Sequence, residues 1–195
     1  MLKQAIKKTK LTKPQKAYID RLVRVDQAGE LGADYIYAGQ HFVFSNTKPS
    51  LAPLIQHMWD QEIHHHKVFD ELQTESRIRP SVFTPVWRAA AFGLGVGTAL
   101  MGQEAAMACT EAVETVIGGH YNSQLRWLHQ EFPKDLDDST EIGRLKKTIK
   151  QFRDDELEHL DTAVEEGAKK AVPYILLTET IKNGCRGAIW VAERY

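Results

Sequence analysis

The 195-residue sequence has only two cysteines, Cys109 and Cys185, and neither sits in a Cys-x-x-Cys pair. That excludes a disulfide framework and fits a reducing compartment. The net charge is only −1, so nothing in the total favours nucleic acid as a partner. The start of the chain lacks the apolar stretch of a secretory signal. The longest apolar run, "AAAFGLGVGTALM" (89–101), is shorter than the roughly 20 residues a spanning helix needs. No segment alternates convincingly as a strand, and there is no glycine-rich dinucleotide loop. These absences leave a helical chain with enough residues for one sizeable core.

The charge that is present is unevenly placed. Six lysines and no acid fall in the first sixteen residues, so residues 1–15 read as a basic arm able to lie on anionic lipid. A solvated, frayed end is the plainer reading of the same charges. Residues 16–195 form one domain of helices. The first is expected from Lys16 to Ser45, the second from Ala52 to Glu75, with "SNTKPS" as the break between them. After the proline-punctuated "RIRPSVFTP", an apolar, glycine-bearing segment (86–101) leads into a third long helix ending near Glu131. Ser139 or Thr140 is placed to cap a fourth, expected to run to Lys170. Beyond Pro173 a final amphipathic helix (174–195) carries Leu177, Ile181, Cys185 and Ile189 on one stripe. Four long helices with a crossover in the middle imply an all-α four-helix bundle with extra helices.

Polar residues interrupt the apolar stripes where the core should be. Asp26 and Glu30 follow Ile19, Leu22 and Val23 on the first helix, and Glu62 and His65 lie between Ile55 and Phe69 on the second. Glu111 and Glu114 lie between Met107 and Tyr121, and Glu156 and His159 follow Phe152. Unpaired buried carboxylates are costly, so four helices each aiming one inward call for a cation. Glu62–His65 and Glu156–His159 are both Glu-x-x-His pairs, a spacing that brings oxygen and nitrogen to one face of a helix. A single pair would be ordinary surface; two, each on an inward stripe, are not. An internal repeat reinforces the pattern. "ELGADYIYAGQ" (30–40) aligns with "ETVIGGHYNSQ" (114–124), and "DQEIHHH" (60–66) with "DDELEHL" (154–160). The repeat selects Glu114 over Glu111, and His65 over its neighbours His64 and His66. One Glu from each of two helices and Glu-x-x-His from each of two others is the ligand pattern of ferritin-like di-iron or di-manganese proteins.

Five stretches, "RVDQAGELGA" (24–33), "MWDQEIHHHKVF" (58–69), "AMACTEAVETVIGGHYNSQ" (106–124), "FRDDELEHLDTA" (152–163) and "GCRGAIWVAERY" (184–195), resemble the 5-demethoxyubiquinone hydroxylase family. The resemblance implies a ferritin-like bundle built from a duplicated helix pair. It also implies Glu30, Glu62, His65, Glu114, Glu156 and His159 as ligands of two iron ions. The implied activity is an O2-dependent hydroxylation of a demethoxyubiquinol ring in ubiquinone biosynthesis. The electrons would come from the quinol itself or from an NADH-linked donor. Where the family has His before "AGE", this chain has Gln27, which is not among the six. Implied partners are a polyprenylated quinol, a membrane surface and a lipid-presenting accessory protein; homo-oligomer assembly stays open, and no nucleic acid is expected. Segment 86–101, the last helix with Trp190 and the basic arm would face the bilayer, as a peripheral protein on a bacterial cytoplasmic face or a mitochondrial matrix face. His120 and Tyr121 are candidates to support the ligands, with core packing the plain alternative for Tyr121. The rival reading is a ferritin-like iron-oxidising or iron-storage protein.

Overall fold

A computed structural model of the protein describes residues 9–195. Its described elements are helices: α1 (Lys13–Thr47), α2 (Ala52–Glu75), α3 (Thr84–Leu100), α4 (Gln103–Glu131), α5 (Glu141–Glu165), a 3-10 turn (Ala168–Lys170) and α6 (Tyr174–Ala192). Helix α1 starts three residues before the expected Lys16, because Thr12 and Gln15 form a capping box with a proline at the first turn. Residues 13–15 of the expected basic arm therefore belong to the bundle, and Thr9 is tied to Glu141 at the start of α5. The rest of that arm, residues 1–8, lies outside the described residues. Thr140 caps α5, accepting from the Gly143 amide at 2.9 Å. Helix α5 ends at Glu165 rather than Lys170, because Gly167 takes a left-handed φ of 98° that an α-helix cannot continue through. Gly102, at φ 115°, likewise separates α3 from α4.

The long helices α1, α2, α4 and α5 make two hairpins, α1–α2 and α4–α5, packed face to face. Helix α3 lies along α1, and α6 along α4; α3 and α6 do not pack on each other. The α1–α3 contact is backbone on backbone. A Cβ on Gly95 would overlap the Ile36 carbonyl, and one on Gly39 would come within 2.8 Å of the Val96 nitrogen. Close approach is thus the role of Gly95, while Gly93 and Gly97 have open space around them.

The core of the bundle is layered. One apolar cluster joins Leu22, Phe69, Leu125, Leu145 and Phe152; another joins Phe44, Ile55, Met58, Met107 and Ala163. Along each helix the polar residues fall between these two. Each large apolar side chain buried in the layers contributes about 1.5–3 kcal/mol. A carboxylate buried without a partner costs several kcal/mol, so the middle layer opposes folding unless its charge is answered.

Candidate metal centre

All six residues singled out by the repeat meet in that middle layer, each almost completely buried. Their ligand atoms fall into two overlapping groups, each within 4.8 Å: Glu30, Glu62, His65 and Glu156, and Glu62, Glu114, Glu156 and His159. Glu62 and Glu156 belong to both. His65 Nδ1 lies 3.1 Å from Glu156 Oε1 and 3.4 Å from Glu30 Oε2. His159 Nδ1 lies 3.1 Å from Glu62 Oε1 and 3.2 Å from Glu156 Oε2.

The electrostatics are those of a site built for positive charge. Burial, then the Glu156 and Glu30 carboxylates, pushes Glu62 well above the ordinary carboxylate range. Burial, then Glu156 and Glu62, does the same to Glu114. Glu156 goes the other way. Burial alone would raise it, but the bonds from His159 and His65 hold it at about 2. Burial would lower His65, yet the Glu156 and Glu30 carboxylates facing it carry it up to about 12. Both Glu62 oxygens, Glu30 Oε2 and Glu114 Oε2 are buried without a hydrogen bond. Four carboxylates and two imidazoles turned toward one another, with free acceptor atoms, fit two divalent cations: the carboxylates neutralise the ions' charge, and mixed O and N donors suit iron or manganese.

Around this set the contacts cross between hairpins. Tyr37 of α1 donates to Glu114 of α4 at 3.1 Å, and Tyr121 of α4 donates to Glu30 of α1. His65 Nε2 lies 3.0 Å from Asp155 on α5, and His159 Nε2 lies 2.9 Å from Gln61 on α2. Asp155 and Gln61 are functional candidates that spacing arguments missed. The signal was present: each stands directly before the Glu of its Glu-x-x-His pair, at the same place in the repeat. The other histidines of the triplet turn elsewhere. His64 is exposed, and His66 Nδ1 pairs with Asp34 at 3.0 Å, beside the cluster and not in it. Gln27 donates to Asp70 at 2.9 Å, away from Glu30. His120 reaches Asp26 at 3.8 Å and none of the six. Glu111 is bound to Lys169 and to Tyr174, the latter at 2.7 Å. Burial pushes the Cys109 and Cys185 thiols up to about 12 and 11, so neither supplies a thiolate at neutral pH.

Next to the centre lies an apolar cavity of about 370 Å³, between α1, α3, α4 and α6. Gly29 and Val113, the neighbours of Glu30 and Glu114, line it together with Gly32, Leu94, Ile181 and Cys185. Near the ends of α3 and α6, Leu100, Met101, Ile175, Leu176 and Trp190 are more than half exposed. No described helix is long and apolar enough to cross a membrane.

Comparison with known proteins matches residues 17–192 to the family model described as "Ubiquinone biosynthesis protein COQ7". The chain is 60% identical to the 5-demethoxyubiquinone hydroxylase, mitochondrial, of Saccharomyces cerevisiae, covering 94% of this chain and 81% of that one. It is 50% identical to the NADPH-dependent 3-demethoxyubiquinone 3-hydroxylase, mitochondrial, of Mus musculus, covering 92% and 79%. It is 45% identical to the 3-demethoxyubiquinol 3-hydroxylase of Rhodospirillum rubrum, covering 91% and 79%.

Proposed function

The chain belongs to the ubiquinone biosynthesis COQ7 family, and from that premise we propose that it hydroxylates the ring of a demethoxyubiquinol with O2, using two iron ions. The observation that carries this reading is the buried set of six ligand groups beside an apolar cavity. One oxygen atom of O2 enters a ring C–H bond and the other leaves as water, with two electrons and one proton from a reduced nicotinamide donor and a second proton from solvent. The names of relatives specify NADPH where an NADH-linked donor or the quinol itself was expected. When bound, the irons supply the capacity to reduce and activate O2, which no side chain of the protein has.

The residues of the chain do the rest. Glu30 and His65 would hold one ion and Glu114 and His159 the other, with Glu62 and Glu156 belonging to both groups. Tyr121 and Tyr37 orient Glu30 and Glu114 by donating to one oxygen of each, leaving the second oxygen free. The cavity takes the quinol and the start of its polyprenyl tail, and its apolar lining keeps water from the ring. The exposed apolar rim rests on the bilayer as a peripheral surface where the tail enters, and a lipid-presenting partner would dock there. In mitochondria, as in the names of the yeast and mouse relatives, that bilayer face would be the matrix side. The rival reading as an iron-oxidising or iron-storage protein has no support among relatives, which carry hydroxylase names.

The test is iron content together with O2-dependent conversion of a short-tailed demethoxyubiquinol. Two irons per chain and a product heavier by one oxygen are expected. Two irons with no product, at any reductant, would overturn the hydroxylase reading.

A further inference from the structure

The repeat makes the two halves of the centre nearly equivalent, and the exceptions fall on one side. Among the carboxylates the match is close. Glu30 receives Tyr121, Glu114 receives Tyr37, and these tyrosines align with each other in the repeat. The imidazoles differ. Both turn Nδ1 toward the carboxylates and Nε2 toward an acceptor on the opposite hairpin. For His65 that acceptor is the carboxylate of Asp155, at 3.0 Å; for His159 it is the side-chain amide oxygen of Gln61, at 2.9 Å. The positions are equivalent, each directly preceding the Glu of its motif, so the difference is chemical and not geometric.

One level further out the same bias recurs. Gln124 donates to Asp26 at 2.6 Å, whereas the matching Gln40 reaches Thr110 at 3.5 Å. Asp26 stands four residues before Glu30, and Thr110 four before Glu114. A carboxylate accepting from the far nitrogen of an imidazole makes the near nitrogen a stronger donor, and a neutral amide does so far less.

We infer that the two metal positions are inequivalent, and that Asp155 and Gln61 are the positioning residues that make them so. The ion on the Glu30–His65 side is held more tightly and favoured in its higher oxidation state. The ion on the Glu114–His159 side is held more loosely and is the easier to reduce. This rests on the two-iron reading above and goes beyond it by ranking the two positions.

Anaerobic titration of the metal-free protein with 57Fe(II), followed by chelator competition and Mössbauer spectroscopy, tests it without turnover. Wild-type protein is expected to take up two ions per chain in two separable steps and to show two quadrupole doublets of equal area. Asp155→Asn is expected to weaken the first step by roughly ten- to a hundred-fold and to draw the doublets together. Gln61→Glu, which gives His159 a charged acceptor, is expected to strengthen the second step and also to draw the doublets together. Circular dichroism checks that the variants fold, and each arm stands if the other variant does not. Two ions bound with equal affinity and one unresolved doublet in the wild type would overturn the inference while leaving the two-iron reading intact. So would folded variants whose steps and doublets match the wild type. A wild-type chain that cannot hold two ions overturns both.

Discussion

Glu62 and Glu156 are the same residue type, at the same place in a repeat, in opposite electrostatic states. Glu156 is held at about 2 by two histidines, while burial and neighbouring carboxylates push Glu62 well above the ordinary carboxylate range. Metal must displace the protons on Glu62, Glu114 and His65, so uptake releases protons and apparent affinity rises with pH. Calorimetry in buffers of different ionisation enthalpy reads this directly. The metal-free protein has the opposite trend. His65 is raised from 6.5 to about 12, so the stability from its pairs is complete below pH 6.5 and lost as pH climbs toward 12. Glu156, lowered from 4.5, contributes stability above pH 4.5 that is lost as pH falls toward 2. Glu62 and Glu114, raised well above 4.5, lose stability as pH climbs past 4.5, so metal-free melting temperature is expected to be highest near pH 4.5 and to fall above it, while the increment from added Fe(II) grows. A flat metal-free profile above pH 6.5 would contradict this picture. Removing ligands should also be graded. Glu156 serves both four-residue groups and Glu114 only one. Glu156→Ala is expected to leave essentially no bound iron, and Glu114→Ala about half, by metal analysis.

At the scale of elements, the contact of α1 with α3 depends on two glycines and not on a glycine-rich composition. Gly95→Val is expected to cost about 1–3 kcal/mol through forced separation of the helices, read as a lowered melting temperature. Gly93→Ala, with open space at its Cβ, is expected to gain a few tenths to about 1 kcal/mol in the same helix. Which glycine matters was not legible in the sequence, because it depends on the rotation of α3 about its own axis. Helix starts were more legible. Thr140 caps α5 as its residue type demands, whereas the early end of α5 depends on a single left-handed glycine that periodicity does not register. The six middle-layer residues were legible because carboxylates on an apolar stripe are conspicuous. Asp155 and Gln61 were not, since one position of offset on a helix turns a side chain by about 100° and makes it look like surface.

For the whole molecule, the layered bundle, the cavity and the exposed rim divide the work between holding a metal, a ring and a tail. Gly32 lines the cavity with nothing within 4 Å of its Cβ position, so Gly32→Phe would fill space and leave the bundle packing as it is. Turnover of a long-tailed quinol is expected to fall by about tenfold or more, a loss of roughly 1.4 kcal/mol of binding, with a tail-less analogue less affected. The pair Ile175→Glu and Leu176→Glu, on the exposed rim, is expected to reduce cosedimentation with liposomes and leave iron content unchanged. Unaltered liposome binding would remove the rim from the membrane-facing surface. The cross-hairpin contacts carry one more consequence, and it concerns ancestry. Four of the six ligands, two from each hairpin, lean on a residue of the other, so a single helix pair could not have assembled this centre alone. The forerunner of the duplicated chain would have worked as a pair of identical molecules, each completing its twin. In such a pair the residue before each Glu is necessarily the same on both sides. With both copies in one polypeptide, Gln61 and Asp155 are free to differ, and the two halves of the centre need not be identical.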